Sequence, residues 1–313
     1  MTTQSGADPL DPELSAITGE RRRLINLAYR LLGSLADAED VVQETYARWY
    51  AMSREQQRAI ESPGAWLNKV AGRLCLNVLS SARVRRETYV GEWIPEPLPD
   101  PAEWITGRPA ADPADRVTLD ESVTMAFLVV LDAMTPAERV ALVLHDVFRY
   151  PFADIAEITG RTPAACRQLA SSARRRIRAA QPPATPAARR SRIVKRFKEA
   201  LEVGDVEALL GLLDPGVTAI ADGGGLVSTT LHPIEGAERI ARSLVLLWDR
   251  VRRQTLLERT VNGQPGLIAQ LDGVTVSVYS FEVVDDRITR IWAVRNPEKL
   301  RLWAGPEVSG SAG

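Results

Sequence analysis

Two proline-rich breaks constrain the fold of this chain more than any other sequence feature. Residues 91–101 hold four prolines and residues 181–186 hold three. Proline at this density excludes a regular helix or a central strand, so both stretches are predicted to be extended linkers. A chain of 313 residues is also long enough for two or three domains. We therefore predict domains at residues 10–90, 114–180 and 190–305, linkers at 91–113 and 181–189, and a disordered tail at 306–313.

The segment before the first break is predicted to be helical. Apolar residues from Leu24 to Leu32 recur at helical spacing, and Gly33 with Ser34 ends that helix. Asp37 is a predicted N-cap of the next helix. Pro63 precedes a long helix predicted from about residue 65 to 82.

Between the two breaks, the pattern predicts helices that include a helix-turn-helix. One helix is predicted at 114–133, and Thr135-Pro136-Ala137-Glu138 is a capping box that starts another, continuing to Val147. A short helix at 152–158 is ended by Gly160, and Thr162-Pro163 opens a further helix to about Ala180. A short helix, a glycine turn and a second helix form a helix-turn-helix unit.

After the second break, helices at 191–203 and 206–213 give way to strand-rich sequence. Strands are predicted within 217–220, 267–271, 274–284 and 288–294, with a helix near 237–247. The chain is thus predicted to be multidomain, with two all-α domains followed by an α+β domain built on a curved antiparallel sheet.

The helix-turn-helix carries a one-sided charge. Residues 161–178 contain basic side chains and no acidic ones. Arginine and glutamine can bind base edges in the major groove, and serine and arginine can bind phosphates. The alternative is an amphipathic surface helix whose basic face, Ser172 included, is merely solvated.

The helix after Pro63 places Trp66 beside basic residues. An aromatic ring among basic side chains suits unpaired bases and their phosphates. The alternative is that Trp66 belongs to the hydrophobic core, which is the more common role of tryptophan.

Composition narrows the chemistry of the chain. The formal net charge is −1, so the whole molecule has no basic excess and only local clusters favour nucleic acid. Cys75 and Cys166 lie far apart with no Cys or His nearby, which predicts no metal site and no disulfide framework. No cofactor is indicated. The polar first 14 residues and the lack of an apolar run of about 18 residues favour a cytoplasmic protein without a signal peptide or membrane span.

Three ordered strings carry a family resemblance. Asp40–Tyr46, Ala65–Leu67 with the helix through Asn77, and Leu131–Arg139 followed by the helix-turn-helix resemble regions 2 and 4 of bacterial RNA polymerase sigma factors of the extracytoplasmic-function class. The resemblance implies a non-enzymatic initiation factor that binds the β′ clamp and β flap of core polymerase and promoter DNA.

The same resemblance assigns roles to particular residues. Core polymerase would be bound by Asp40, Val41, Gln43 and Glu44. The −10 promoter element would be bound by Trp66, Asn68, Lys69, Asn77, Arg83, Arg85 and Arg86. The −35 element would be bound by Arg161, Thr162, Arg167, Gln168, Ser171, Arg174 and Arg175.

Three further strings resemble the sigma factors that carry a fused SnoaL-like (NTF2-like) domain. They are Trp93–Pro97 in the first linker, Asp222–Gly225 and Asn296–Leu300. The fused domain would replace a separate anti-sigma protein by contacting the linker. The contact residues would be Trp93, Pro95, Glu96, Pro97, Asp222, Gly223, Gly224, Gly225, Asn296 and Pro297. Position 226 is Leu where that group usually has Lys. Because the linker also holds Trp104 beside its apolar residues, we expect it to dock on a surface.

The C-terminal domain could also have chemistry of its own. Acid–base residues of SnoaL-like enzymes would be matched by Asp222, His232, Asp272, Glu282 or Asp285. The Asp222–Gly225 turn could instead hold an anion with backbone N–H groups. Trp248, Trp292 and Trp303 would line a pocket or fill the core. Intramolecular contact is favoured over ligand sensing and catalysis. The alternative function is a helix-turn-helix protein whose SnoaL-like domain binds a small molecule or keeps isomerase or cyclase activity.

Overall fold

The computed structural model describes residues 19–87, 89–100, 123–180, 185–246 and 252–303. The predictions for residues 101–122, including Trp104 and the start of the 114–133 helix, lie outside the described residues. So do those for residues 181–184, Trp248 and the tail at 306–313.

The N-terminal unit is a helical bundle. Its helices are α1 (Arg21–Leu32), α2 (Leu35–Ala51), α3 (Arg54–Arg58) and α4 (Pro63–Glu87). Gly33 ends α1 in the left-handed conformation at φ 70°, as predicted. The predicted N-cap was wrong by three residues: Ser34 caps α2 by accepting a hydrogen bond from the Asp37 amide, so Asp37 lies in the first turn.

The second helical unit comprises α5 (Met125–Asp132), α6 (Pro136–Leu142), α7 (Phe152–Thr159) and α8 (Pro163–Ala180). The predicted capping box at Thr135 and Glu138 is confirmed. The continuation of α6 widens into a π-helical segment, Val143–Val147. Gly160 ends α7 as predicted, so α7 and α8 form the helix-turn-helix.

The C-terminal unit is an α+β domain. It comprises α9 (Ala187–Val203), α10 (Val206–Leu212), β1 (Leu213–Asp222), β2 (Ile234–Glu235), α11 (Ala237–Leu246), β3 (Thr255–Val261), β4 (Gln264–Leu271), β5 (Val274–Val284) and β6 (Arg287–Val294). Two short 3-10 turns follow at Pro297–Lys299 and Arg301–Trp303. The predicted fold class, two helical units followed by an α+β domain, is confirmed.

The sheet is mixed, which corrects the all-antiparallel prediction. In the described residues its strand order is β2-β1-β6-β5-β4-β3, and β1 pairs with β6 in parallel. Asp222 and Val294 are register partners at the ends of these two strands. The parallel pairing therefore delivers Asp222 and the segment after Val294 to the same end of the sheet.

Among the described residues, three hydrophobic clusters form the core. One cluster joins the two helical units, from Leu24 to Ala173. A second cluster lies between the sheet and α9–α11. The third cluster joins Ile94 of the linker and Met125 of α5 to Trp292 and Trp303 of the C-terminal domain. The linker is thus part of a core.

Candidate functional site

A buried carboxylate lies at the centre of the contact between the linker and the C-terminal domain. Asp222 is 0% exposed at the end of β1. Its Oδ2 accepts a hydrogen bond from the Ile94 backbone amide at 2.9 Å, and its Oδ1 accepts from the Tyr89 hydroxyl at 2.6 Å. The Gly224 amide donates to Oδ1 at 3.0 Å. The glycine turn therefore does hold an anion with a backbone N–H, and that anion is the carboxylate of Asp222 itself.

Lys299 supplies the positive charge that this carboxylate requires. Its Nζ lies 2.6 Å from Asp222 Oδ2 and donates to the Ile94 carbonyl at 2.6 Å. The same ammonium lies 4.2 Å from the centre of the Trp93 ring, a cation–π distance. The lysine side chain is 10% exposed, so the pair is screened little by solvent. The result is a buried ion pair that holds the linker backbone at Ile94 on both sides.

Asn296 contacts Tyr89 on one side and the glycine turn on the other. Asn296 Nδ2 donates to the Tyr89 hydroxyl at 3.0 Å. The backbone amide of Asn296 donates to the Asp222 carbonyl. A Cβ at Gly224 would lie 2.3 Å from Asn296 Nδ2, so no side chain fits there. We call the set Tyr89, Trp93, Ile94, Asp222, Asn296 and Lys299 the linker clamp.

Glu96 ties the other side of the linker to the N-terminal bundle. Its backbone amide donates to the Gly33 carbonyl at 2.7 Å, and its Oε2 accepts from the Leu35 amide at 2.8 Å. The carboxylate therefore sits at the start of α2, where the helix dipole favours negative charge. Burial nevertheless dominates and raises the pKa of Glu96 to about 7.

A hydrogen-bond chain connects the N-terminal bundle, the linker and the C-terminal domain. The Tyr29 hydroxyl of α1 donates to the Glu96 carbonyl at 2.7 Å and accepts from Asn262 Nδ2 at 3.0 Å. Asn262, in the β3–β4 turn, also accepts from the Leu98 amide through Oδ1. Trp303 Nε1 donates to the Pro97 carbonyl at 2.9 Å. Residues Ile94–Pro99 are buried, so the linker docks as expected.

The two helical units also contact each other directly, α4 with α7 and α1 with α6. Lys69 of α4 forms an ion pair with Glu157 of α7, and Arg73 donates to the Glu157 carbonyl at 3.0 Å. Arg139 of α6 is 3% exposed and donates to the Leu31 carbonyl of α1 at 2.8 Å. The helix-turn-helix is therefore packed against the bundle.

Comparison with known proteins places this chain in a family. Residues 16–85 match Sigma-70 region 2, and residues 124–177 match Sigma-70, region 4. The chain is 37% identical to the ECF RNA polymerase sigma factor SigJ of Mycobacterium tuberculosis, covering 92% of this chain and 93% of that protein. The chain belongs to the ECF RNA polymerase sigma factors.

One further relative and one solved structure extend this comparison. The probable ECF sigma factor SigI of Mycobacterium tuberculosis is 36% identical, covering 93% of this chain and 95% of that protein. The crystal structure of SigJ aligns with a TM-score of 0.71 at 34% identity, covering 92% of this chain and 98% of that one. The likeness to SigJ thus includes the C-terminal domain.

Region 4 presents most of its predicted −35 residues to solvent. The exposed set is Arg161, Thr162, Arg167, Gln168, Ser171 and Arg175. Arg174 is an exception, because its guanidinium donates twice to Asp146, at 2.7 and 2.6 Å. Ser172 was predicted to lie on the outer face of this helix, and that prediction is wrong. Its hydroxyl donates to buried Glu138, so it faces the domain interior.

Region 2 presents a smaller share of its predicted contacts. Asn77 is exposed, whereas Trp66 is half-buried with its ring 5.3 Å from that of Trp49. Asn68 is 1% exposed and donates to the Gly64 carbonyl, so the prediction of a DNA contact is corrected: its amide is used inside the bundle. The side chains of Arg83, Arg85 and Arg86 lie outside the described residues.

The α2 residues that were predicted to bind polymerase lie on two different faces of the helix. Asp40, Gln43 and Glu44 are exposed, and Glu44 forms an ion pair with Arg48 at 2.8 Å. Val41 is 3% exposed and packs in the bundle core, which corrects its assignment as a contact. The helix therefore offers a polar, mainly acidic strip.

The candidate acid–base residues of the C-terminal domain do not meet at one site. His232, Asp272 and Asp285 are exposed, and the latter two occupy turn positions with φ of 51° and 54°. Glu282 bonds to Thr289, and burial raises its pKa. Asp222 belongs to the linker clamp. Trp292 and Trp303 pack with Ile94 in a core cluster.

Three residues that hold the linker could not be identified from the sequence. Tyr29, Tyr89 and Asn262 had no local pattern to mark them, because each acts on a residue more than 60 positions away. Lys299 lies within the Asn296–Leu300 string, and that string was the available signal. Leu226 is 61% exposed, and the partner of Asp222 is Lys299 rather than a lysine at 226.

Proposed function

We propose that this sigma factor binds core RNA polymerase and directs it to promoter DNA without catalysing a reaction itself. The exposed strip of Asp40, Gln43 and Glu44 would bind the β′ clamp, and region 4 would bind the β flap. Asn77 would contact the −10 element. The exposed basic face of α8 would contact the −35 element through the six residues given above. This activity belongs in the cytoplasm, where polymerase and promoters are.

The C-terminal domain is proposed to regulate this activity in cis, in place of a separate anti-sigma protein. The support is the linker clamp, in which a buried ion pair holds the segment between region 2 and region 4. In the closed arrangement Lys69 is paired with Glu157, and this pair would compete with a contact between Lys69 and a DNA phosphate. The closed arrangement is therefore proposed to be the resting state, and opening of the clamp to release it.

The first experiment tests the sigma factor function. Full-length protein is mixed with core polymerase, and the complex is isolated and assayed by run-off transcription from a cognate promoter. A stable complex and promoter-directed transcripts are expected. Absence of a stable complex with core enzyme would refute this function.

The second experiment tests regulation in cis. Asp222→Asn removes the charge that Lys299 requires, and Asp272→Asn is the matched control, the same substitution in an exposed turn. Asp222→Asn is expected to raise promoter-directed transcription, and Asp272→Asn to leave it unchanged. Deletion of residues 190–313 is also expected to change it. If Asp222→Asn and the deletion both match wild type, the C-terminal domain is not a regulator.

A further inference from the structure

The C-terminal domain encloses a cavity beside the linker clamp. Its volume is about 360 Å³, within the size range of small-molecule sites. The walls come from all six strands of the described sheet and from helices α9 and α11. None of the five candidate acid–base residues lines it in the described part of the chain.

The lining indicates the chemistry of an occupant. Most of it is apolar, with Phe197, Leu201 and Ile240 among the contacts. Ser277 also lines the cavity, is 1% exposed, and its Oγ has no hydrogen-bond partner among the described residues. Arg295 is the charged residue of the described lining. Burying an unpaired hydroxyl is unfavourable, so a ligand with a hydrogen-bonding group would be favoured there. A cationic group would be disfavoured by the arginine.

Three parts of the cavity wall lie next to the linker clamp or to the glycine turn that follows Asp222. Residues 219–221 of β1 line the cavity and are followed by Asp222. Residues 228–230 line it just after the glycine turn. Arg295 lines it immediately before Asn296, its amide donates to the Asp222 carbonyl at 2.7 Å, and its guanidinium donates to the Ser228 carbonyl at 2.7 Å. A shift of the cavity wall would therefore move the groups that hold the linker.

We propose that this cavity binds a small molecule with a mainly apolar body and one hydrogen-bond-accepting group, neutral or anionic, and that its occupancy alters the linker clamp. The acceptor bonds the Ser277 hydroxyl, and the apolar body replaces empty volume along α9 and α11. The coupling to the clamp rests on the regulation in cis proposed above, and it identifies the signal as a small molecule. A ligand shifts the equilibrium between the closed and the open clamp only by the difference between its affinities for these two states.

Binding is tested on the full-length protein with 8-anilinonaphthalene-1-sulfonate, which joins an apolar aromatic body to one sulfonate. Wild type is expected to give a saturable fluorescence increase. Ala219→Phe places a ring inside the cavity and is expected to weaken binding at least about tenfold. Ser277→Ala is expected to weaken it about threefold to tenfold, the loss of one hydrogen bond.

The matched control for the filled cavity is Val274→Phe, which adds the same ring at a residue that is 61% exposed. It is expected to bind the probe as wild type does, and circular dichroism confirms that each variant is folded. An unsaturable signal would overturn the proposal. So would equal affinities in wild type, Ala219→Phe and Ser277→Ala.

Coupling is tested by hydrogen exchange of residues 89–98 with and without the probe. The Ile94 amide is bonded to Asp222, so its exchange rate reports whether the clamp is closed. A probe-dependent change is expected in wild type and in Val274→Phe, and none in Ala219→Phe. Binding without any change in exchange at residues 89–98 would overturn the proposal. Neither measurement involves polymerase, so failure of this ligand-binding proposal is distinguishable from failure of the proposed sigma factor function.

Discussion

Replacing Lys299 with methionine should break the linker clamp without emptying its volume. Methionine keeps an unbranched apolar side chain beside Trp93 but removes the ammonium. Three interactions are lost at once: the ion pair to Asp222, the hydrogen bond to the Ile94 carbonyl and the cation–π contact with Trp93. Asp222 is left as a fully buried carboxylate with no countercharge at that contact.

The cost can be worked from these contacts. Removing one partner of a buried ion pair typically costs about 3–5 kcal/mol, because the remaining charge is buried and uncompensated. Asp222 keeps hydrogen bonds from Ile94, Tyr89 and Gly224, which moves the cost towards the lower limit. We expect a loss of about 3 kcal/mol, which is about 150-fold in the equilibrium between docked and undocked linker.

Urea unfolding followed by tryptophan fluorescence measures this loss, with Lys198→Met as the control. Lys198 forms an i,i+4 pair with Glu202 on the surface of α9, and such pairs contribute about 0.5 kcal/mol or less. A double-mutant cycle of Lys299→Met with Asp222→Asn should show a coupling energy of about 2 kcal/mol or more. Equal stability of wild type and Lys299→Met, or strict additivity in the cycle, would refute a stabilising ion pair.

Three further perturbations address other contacts of the linker and of the glycine turn. Burial raises the pKa of Glu96 from 4.5 to about 7, so its contribution to stability is complete below pH 4.5 and is lost as pH rises through 7. The stability of Glu96→Gln should therefore match that of wild type at pH 4.5 and exceed it by about 3 kcal/mol at pH 8. A difference in melting temperature between the two proteins that stays constant across this pH range would contradict the prediction. Tyr29→Phe should cost about 1–3 kcal/mol in urea unfolding, because the Glu96 carbonyl and Asn262 both lose a buried partner; a cost near zero would mean that the hydrogen-bond chain adds nothing. Gly224→Ala should lower the melting temperature, since φ is 62° and the new Cβ would collide with Asn296, and an unchanged melting temperature would show that the turn yields freely.

Local rules predicted the helical part of the molecule well. The capping box at Thr135, the glycine ends of α1 and α7, and the start of α8 are contained in a few consecutive residues, so their sequence was sufficient. The Asp37 prediction failed because Ser34 is also a good cap, and the choice between them depends on where the chain leaves Gly33.

Long-range pairing limited the prediction of the sheet and of the site. Parallel pairing of β1 with β6 joins segments about 70 residues apart, and no local pattern specifies it. Strand β3 was missed because Glu258 and Arg259 interrupt its apolar alternation. The clamp strings were recognised through their resemblance to a family, whereas Tyr29, Tyr89 and Asn262 became visible only through their contacts.

The hydrogen bond between Tyr29 and Asn262 spans 233 positions of the chain, and Trp303 bonds to the linker from near the C-terminus. During synthesis, the two helical units are complete roughly 120 residues before Trp303 is added, an interval of about 6–25 s at ordinary translation rates. Each new molecule therefore passes through a period in which its linker has no C-terminal partner. A newly made molecule therefore differs from an older one in having an undocked linker, and this difference ends once the C-terminal domain has folded.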